Sequence, residues 1–278
     1  MIKFLVDSAS DYSLEEAKEQ GIEFVSLKVS INNQEYLSGV NLNSDQFYEE
    51  LITSSEFPKT SQPSPQQFIE IFEKVKADND ELICVLLSSG LSGTFQSANL
   101  AKQMVDYDKI YLIDSLMATH MIGILVQKGK EMVDEGYDAA SIAEELNNFK
   151  SKIKVAAVLD TLEYLCMGGR LSKVQATIGE LAKLKPAVSV NDKGEVYVMA
   201  KNLGINKSTT YLINCLKEAE LDENYPMYSL YTYGDANPIK FEEKLAKNDF
   251  KVAGRLQVGS TIGAHVGPNC FGILYVVK

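Results

Sequence analysis

Short apolar runs alternate with amphipathic helical stretches along the first 150 residues, and that alternation restricts the chain to a few folds. The runs lie at 2–6, 82–87 and 110–113. Helical stretches lie at 14–20, 45–52, 65–76, 95–105, 118–135 and 138–149. The clearest start is Ser64-Pro65-Gln66-Gln67, with Ser at the N-cap, Pro at the first helical position and Gln two further on. Phe68, Ile71, Phe72 and Val75 then recur on one stripe. Gly21 and Gly136 close two of the helices. Strands alternating with helices predict a parallel sheet covered by helices. Residues 22–31 and 35–37 flank Asn32-Asn33, which predicts a small hairpin insert near 22–40.

The pattern changes near residue 155. A strand at 154–159 leads to a helical turn at 162–165, which Gly168-Gly169-Arg170 breaks. A helix is expected over 174–184, stopping before Pro186. Strands at 187–190 and 196–200 are joined by the turn Asn191-Asp192-Lys193-Gly194. Helices at 208–219 and 238–246 alternate with strands at 227–233, 251–258 and 272–277. The chain therefore reads as a two-domain α/β protein. Residues 1–153 form a parallel, helix-flanked domain, and 154–278 a mixed domain with antiparallel neighbours. A ligand cleft is expected between or beside them.

Composition narrows the partners. The chain has 278 residues, 45% of them hydrophobic, enough for a sizeable core. A net charge of −11 disfavours nucleic acid and anionic membrane surfaces. The four cysteines are widely spaced and form no Cys-x-x-Cys pair, which suits a reducing compartment. Asp7 interrupts the first apolar run, so it does not read as a signal peptide. No apolar run approaches the ~20 residues of a membrane span. The expectation is a soluble, cytoplasmic protein. Two distant histidines and no cysteine cluster predict no zinc site.

Ser88-Ser89-Gly90-Leu91-Ser92-Gly93-Thr94 stands where the run 82–87 gives way to a helix. Helix N-termini carry unpaired N–H groups and the positive end of the dipole, which suits a carboxylate or phosphate. Four hydroxyls exceed what one cap needs, and two glycines would let a ligand approach the backbone. No Lys or Arg lies within the stretch, so it is not a Walker-type loop. Thr60-Ser61-Gln62-Pro63-Ser64-Pro65 is another hydroxyl-rich stretch, stiffened by its prolines and read as a loop. Ser64 serves as a helix cap, which leaves Thr60 and Ser61 as ligand candidates. His120 sits in the long helix beside Met117, Met121 and Ile124 and reads as a packed side chain. His265 lies in the glycine-rich stretch 259–268, read as a tight loop between two strands. There it can donate to an anion or bond a neighbouring hydroxyl.

Two function classes fit these residues. A binding protein would gather the hydroxyls and His265 around an anionic head group. An esterase or thioesterase would use Ser92 as nucleophile and His265 as base, with Asp7 or Asp114 orienting the imidazole. The turn lacks the Gly-x-Ser-x-Gly elbow of many hydrolases.

The order and spacing of several segments resemble the DegV family, whose members include the fatty acid-binding subunits of bacterial fatty acid kinase. These segments are Asp7-Ser8 with Asp11, Thr60 to Ser64, Ser88 to Ala98 and Asp114-Ser115. The match continues through Thr161-Leu162-Glu163-Tyr164-Leu165, Gly168-Gly169-Arg170, Lys185-Pro186 and His265-Val266-Gly267-Pro268. The resemblance implies an α/β protein enclosing one long-chain fatty acid and needing no cofactor. Its carboxylate would be held by Thr60 or Ser61, by Ser92 and Thr94, and by His265. It also implies that the chain does no catalysis itself. It would present the acyl chain to a separate ATP-dependent kinase, which makes an acyl phosphate for phospholipid synthesis. Two departures stand out. Asn269 follows Gly267-Pro268 where the family commonly has glycine, and the stretch 201–207 is only weakly basic. Arg170 is the remaining cationic candidate for a partner or phosphate contact.

Overall fold

The computed structural model describes residues 1–171 and 184–278. Its first sheet is four-stranded and parallel, in the order β2 (Ile22–Val25), β1 (Ile2–Asp7), β6 (Glu81–Leu86), β7 (Ile110–Asp114). Alternate side chains leave opposite faces of a strand. Phe4, Val6, Ile83 and Val85 thus pack on α5 (His120–Asp134) and α6 (Ala139–Phe149). Leu5, Leu82, Cys84 and Leu86 pack on α3 (Pro65–Ala77) and α4 (Thr94–Val105). Burial on both faces is why these strands read as continuous apolar runs.

The other large sheet has six strands, in the order β10 (Val196–Leu203), β9 (Leu184–Val190), β8 (Ile153–Val158), β13 (Phe271–Val276), β11 (Met227–Tyr231), β12 (Val252–Gln257). Its pairs are antiparallel except β11 with β12. One face, with Ile153, Leu230, Leu274 and Val276, closes the core around α5 and α6. The opposite face, with Ala156, Val158 and Ile273, packs on α8 (Ile205–Glu218) and α9 (Ala236–Ala246). The layers run helix, sheet, helix, sheet, helix. The mixed α/β class is as expected, and the middle helical layer serves both sheets.

Three local expectations need correction. Residues 22–31 are not one extended run. Residues 22–25 join the parallel sheet, while β3 (Lys28–Ile31) and β4 (Gln34–Leu37) form the hairpin. Its turn residues Asn32 and Asn33 have φ of 51° and 61°, a left-handed conformation that asparagine tolerates. Thr60 and Ser61 do not sit in a loop but in β5 (Lys59–Ser61), which pairs with β3. Three residues give no periodicity, so only the distant partner strand defines this element. The stretch 259–268 is likewise no loop between strands: most of it is α10 (Ser260–Val266). Five of its seven residues are buried, which erases the amphipathic period, and close neighbours require its small residues. The smaller helices are α1 (Leu14–Glu19), α2 (Ser44–Thr53) and α7 (Glu163–Met167). The helix expected over 174–184 falls outside the described residues, except for Leu184, which opens β9. No helix among the described residues is long and apolar enough to cross a membrane.

Candidate ligand-binding site

Strand β5, the turn before α4, the segment after α7 and α10 converge on one cavity between the two large sheets. It offers about 120 Å³ to the centre of a water-sized sphere, roughly ten times what one buried water needs. Its floor is the inner face of the six-stranded sheet. There Leu230, Gly272, Ala157 and Val188 are paired neighbours across β11, β13, β8 and β9. The two smallest side chains stand in the middle of that row, which leaves the space open. Leu27, Leu87 and Met121 from the N-terminal half and Val258 and Ile262 from the C-terminal half complete a wall that is almost all carbon.

The polar groups on the wall include Thr60, Ser92, Arg170 and His265. Thr60 Oγ1 and His265 Nε2 share a hydrogen bond of 2.8 Å. Along β5 the alternation leaves Lys59 and Ser61 exposed and Thr60 half-buried. Thr60 therefore reaches the cavity wall and Ser61 does not. Ser92 Oγ lies 2.9 Å from Thr94 Oγ1 and accepts from the Thr94 amide at 3.3 Å. Thr94 is fully buried; it supports Ser92 and is not part of the wall.

His265 is 8% exposed. Burial, and then the positive charge of Arg170, lower its pKa to about 4, so the imidazole is neutral at pH 7. Its Nδ1 is buried without a hydrogen-bond partner among the described residues. Arg170 donates from Nε to Leu91 O at 2.9 Å and from Nη1 to Gly168 O at 2.5 Å. Burial lowers its pKa, yet a guanidinium remains charged. Among the described residues of the wall, Arg170 carries the one formal positive charge.

The turn 88–94 differs from its expected role as an amide cradle. The amides of Ser89, Gly90, Leu91, Ser92 and Thr94 are already hydrogen-bonded within the protein. The hydroxyls of Ser88 and Ser89 donate to Gly194 O and to Asp114. The glycines admit protein, not ligand. A Cβ on Gly90 would stand 2.7 Å from Lys193 O, and one on Gly93 2.0 Å from Gln62 Oε1. Only Leu91 and Ser92 of this turn reach the cavity.

Nor does the hydrolase pairing form. Ser92 bonds Thr94 and His265 bonds Thr60. Asp7 accepts from the amides of Ala9 and Leu87, and Asp114 from those of Ser89 and Leu116. Both carboxylates are thus committed to backbone. Asn269 has a φ of 60°, the left-handed conformation open to glycine, so its presence keeps the loop's path. Beside it, Cys270 lines the cavity as a neutral thiol, its pKa pushed up to about 12 by burial. Among the described residues no group of three or more His, Cys, Asp or Glu side chains could hold a metal ion.

His120 is not merely packed. Its Nε2 donates to Gln257 O at 2.8 Å, and Asp11 Oδ2 lies 3.5 Å away. No spacing in the sequence pairs His120 with Gln257, which is 137 positions away.

A family model described as an uncharacterised protein of the DegV family matches residues 1–278. A DegV domain-containing protein of Caldanaerobacter subterraneus is 33% identical over 279 residues, covering 100% of this chain and 99% of that protein. Among solved structures, a fatty acid-binding DegV of Bacillus subtilis is 29% identical with a TM-score of 0.83, covering 100% of this chain and 99% of the other. A stearic acid-binding protein of Eubacterium ventriosum is 27% identical with a TM-score of 0.87, again over 100% and 99% of the two chains.

Proposed function

Because the chain belongs to the DegV family, we propose that it binds one long-chain fatty acid, with the tail in the carbon-walled cavity and the carboxylate at Thr60, Ser92, Arg170 and His265. The observation that carries this reading is the convergence of those four side chains on one apolar cavity. Each buried CH₂ contributes about 0.8 kcal/mol, so a sixteen-carbon tail supplies on the order of 10 kcal/mol. Hydrogen bonds to the carboxylate add roughly 1.5–3 kcal/mol each and fix which end of the ligand faces them. Since His265 is neutral, the charge complement falls to Arg170, while Thr60 and Ser92 supply hydroxyl donors. Ser61 and Thr94 have no direct part in this arrangement.

The resemblance to fatty acid kinase subunits extends the proposal. The bound acid would be presented to an ATP-dependent kinase, where a carboxylate oxygen takes the γ-phosphoryl group of ATP to give acyl phosphate and ADP. Here the chain holds and orients, and the nucleotide belongs to the partner.

Native mass spectrometry of protein purified from cells tests the binding step. A co-purifying fatty acid in one-to-one ratio is expected, as is saturable binding of hexadecanoic acid by stripped protein. Neither lipid nor saturation would overturn the reading. ATP-dependent acyl phosphate formation, with the chain and a purified fatty acid kinase, tests the presentation step.

A further inference from the structure

His265 reaches the cavity through a junction that three side chains of the N-terminal half hold from behind. Strand β12 ends at Gln257 and α10 begins at Ser260. Between them, Gln257 O accepts from His120 Nε2 at 2.8 Å, and Val258 O accepts from Tyr48 Oη at 2.8 Å. The Gly259 amide donates to Asp11 Oδ1 at 2.9 Å. Three consecutive residues thus each give one backbone group to a different element: the first residue of α5, the middle of α2, and the turn after β1. Asp11 takes its place with a φ of 65°, and Tyr48 is fully buried.

The glycines of this stretch follow from the same contacts. A Cβ on Gly259 would lie 2.7 Å from Asp11 Oδ1, and one on Gly263 2.4 Å from Tyr48 Oη. The first turn of α10 is fastened as well. Ser260 Oγ bonds Ser38 Oγ at 2.8 Å, and Thr261 Oγ1 donates to Ser38 Oγ at 2.8 Å. One helical turn beyond Thr261 stands His265, which shares its bond with Thr60. A helix this short has little stiffness of its own, so its register is set by what grips its start.

We infer that Asp11, Tyr48 and His120 are positioning residues for the head group: by fixing the backbone at 257–259 they set where His265 stands against Thr60 and the ligand. The inference rests on the fatty acid reading above. It assigns a purpose to the Asp11 and His120 pair, neither of which lines the cavity itself.

Tyr48→Phe, His120→Gln and Asp11→Asn test it, with affinities for hexadecanoic acid and for hexadecanol measured side by side. The acid-to-alcohol preference should fall by roughly three- to tenfold, the weight of one ordinary hydrogen bond taken out of register. Alcohol affinity should fall less than acid affinity, because most of the tail's surroundings, among them Leu27, Leu87, Ala157, Val188 and Leu230, belong to other elements. The chain has only two histidines, so the imidazole resonances of His265 can be followed directly, and they should shift in each ligand-free variant. Asp11→Ala should be worse than Asp11→Asn, which keeps an acceptor for the Gly259 amide. If Asp11→Asn fails to fold, Tyr48→Phe, which loses a single hydroxyl, carries the test. A wild-type preference retained in all three variants, with unmoved His265 resonances, overturns the inference. A wild-type protein that binds neither compound overturns the fatty acid reading instead.

Discussion

Two stretches rich in glycine and hydroxyls, 88–94 and 259–268, read alike in the sequence and behave oppositely in the fold. Residues 88–94 have the composition of an anion cradle at a helix start. In the structure most of their amides are bonded within the stretch itself, and two of their hydroxyls and both of their glycines meet other parts of the protein. They send Ser92 and Leu91 to the cavity and little else. Residues 259–268 have the composition of a loop. They form a buried helix that places Thr261, Ile262, His265 and Val266 on the cavity wall. Hydroxyl density therefore marks where donors exist. Which of them meets a ligand depends on what else is packed within reach.

Substitutions in the two stretches can break or sharpen that contrast. The largest effect should come from His265→Gln. A buried histidine with its pKa lowered from 6.5 to about 4 leaves protons to the unfolded state between those values, so wild-type stability falls as pH drops through that window. The variant lacks this linkage. Relative to it, the wild type should lose on the order of 3 kcal/mol by pH 4, read from urea midpoints across pH. Parallel profiles would show that the imidazole is solvated.

Next in size is Ser92→Ala, the one hydroxyl of residues 88–94 on the wall. It should weaken fatty acid binding by about 1.5–3 kcal/mol, the weight of a hydrogen bond to a charged group, with little change in melting temperature. Unchanged affinity would remove Ser92 from the head-group site. Gly263→Ala follows. Its methyl would press on Tyr48, and overpacking of this kind costs about 1–3 kcal/mol of stability. Thermal melts that match wild type would show that the helix and Tyr48 can part without cost. The smallest effect belongs to Ser89→Ala. That residue is exposed and bonds Asp114, so fatty acid affinity should be unchanged within error in a binding titration.

Much of the architecture was legible because its signals are local. The Ser64-Pro65 start, the stripe through Phe68, Phe72 and Val75, and the apolar runs at 2–6 and 82–87 each report on a few neighbouring residues. The observed helices and strands follow them closely. Strand β5 and helix α10 were not legible. The strand is defined by pairing with residues about thirty positions earlier. The helix is buried on nearly every side and so shows no helical period. At the site, Thr60, Ser92 and His265 could be nominated from chemistry. The choice between Thr60 and Ser61 needed the strand's alternation. The parts played by Asp11, Tyr48 and His120 needed the partner backbone more than a hundred residues away.

The sequence by itself determined most of the described helices and strands of an α/β protein, an acidic net charge, and a short set of hydroxyls and one histidine suited to an anion. These follow from periodicity, capping and side-chain chemistry, which act over a few residues. Tertiary structure alone decided that Gly272 and Ala157 stand side by side to open a cavity, that Ser92 rather than the other hydroxyls of its turn lines it, and that His265 is neutral beside Arg170. Each of those depends on desolvation and contact between segments distant along the chain, and no local pattern encodes which segments will meet.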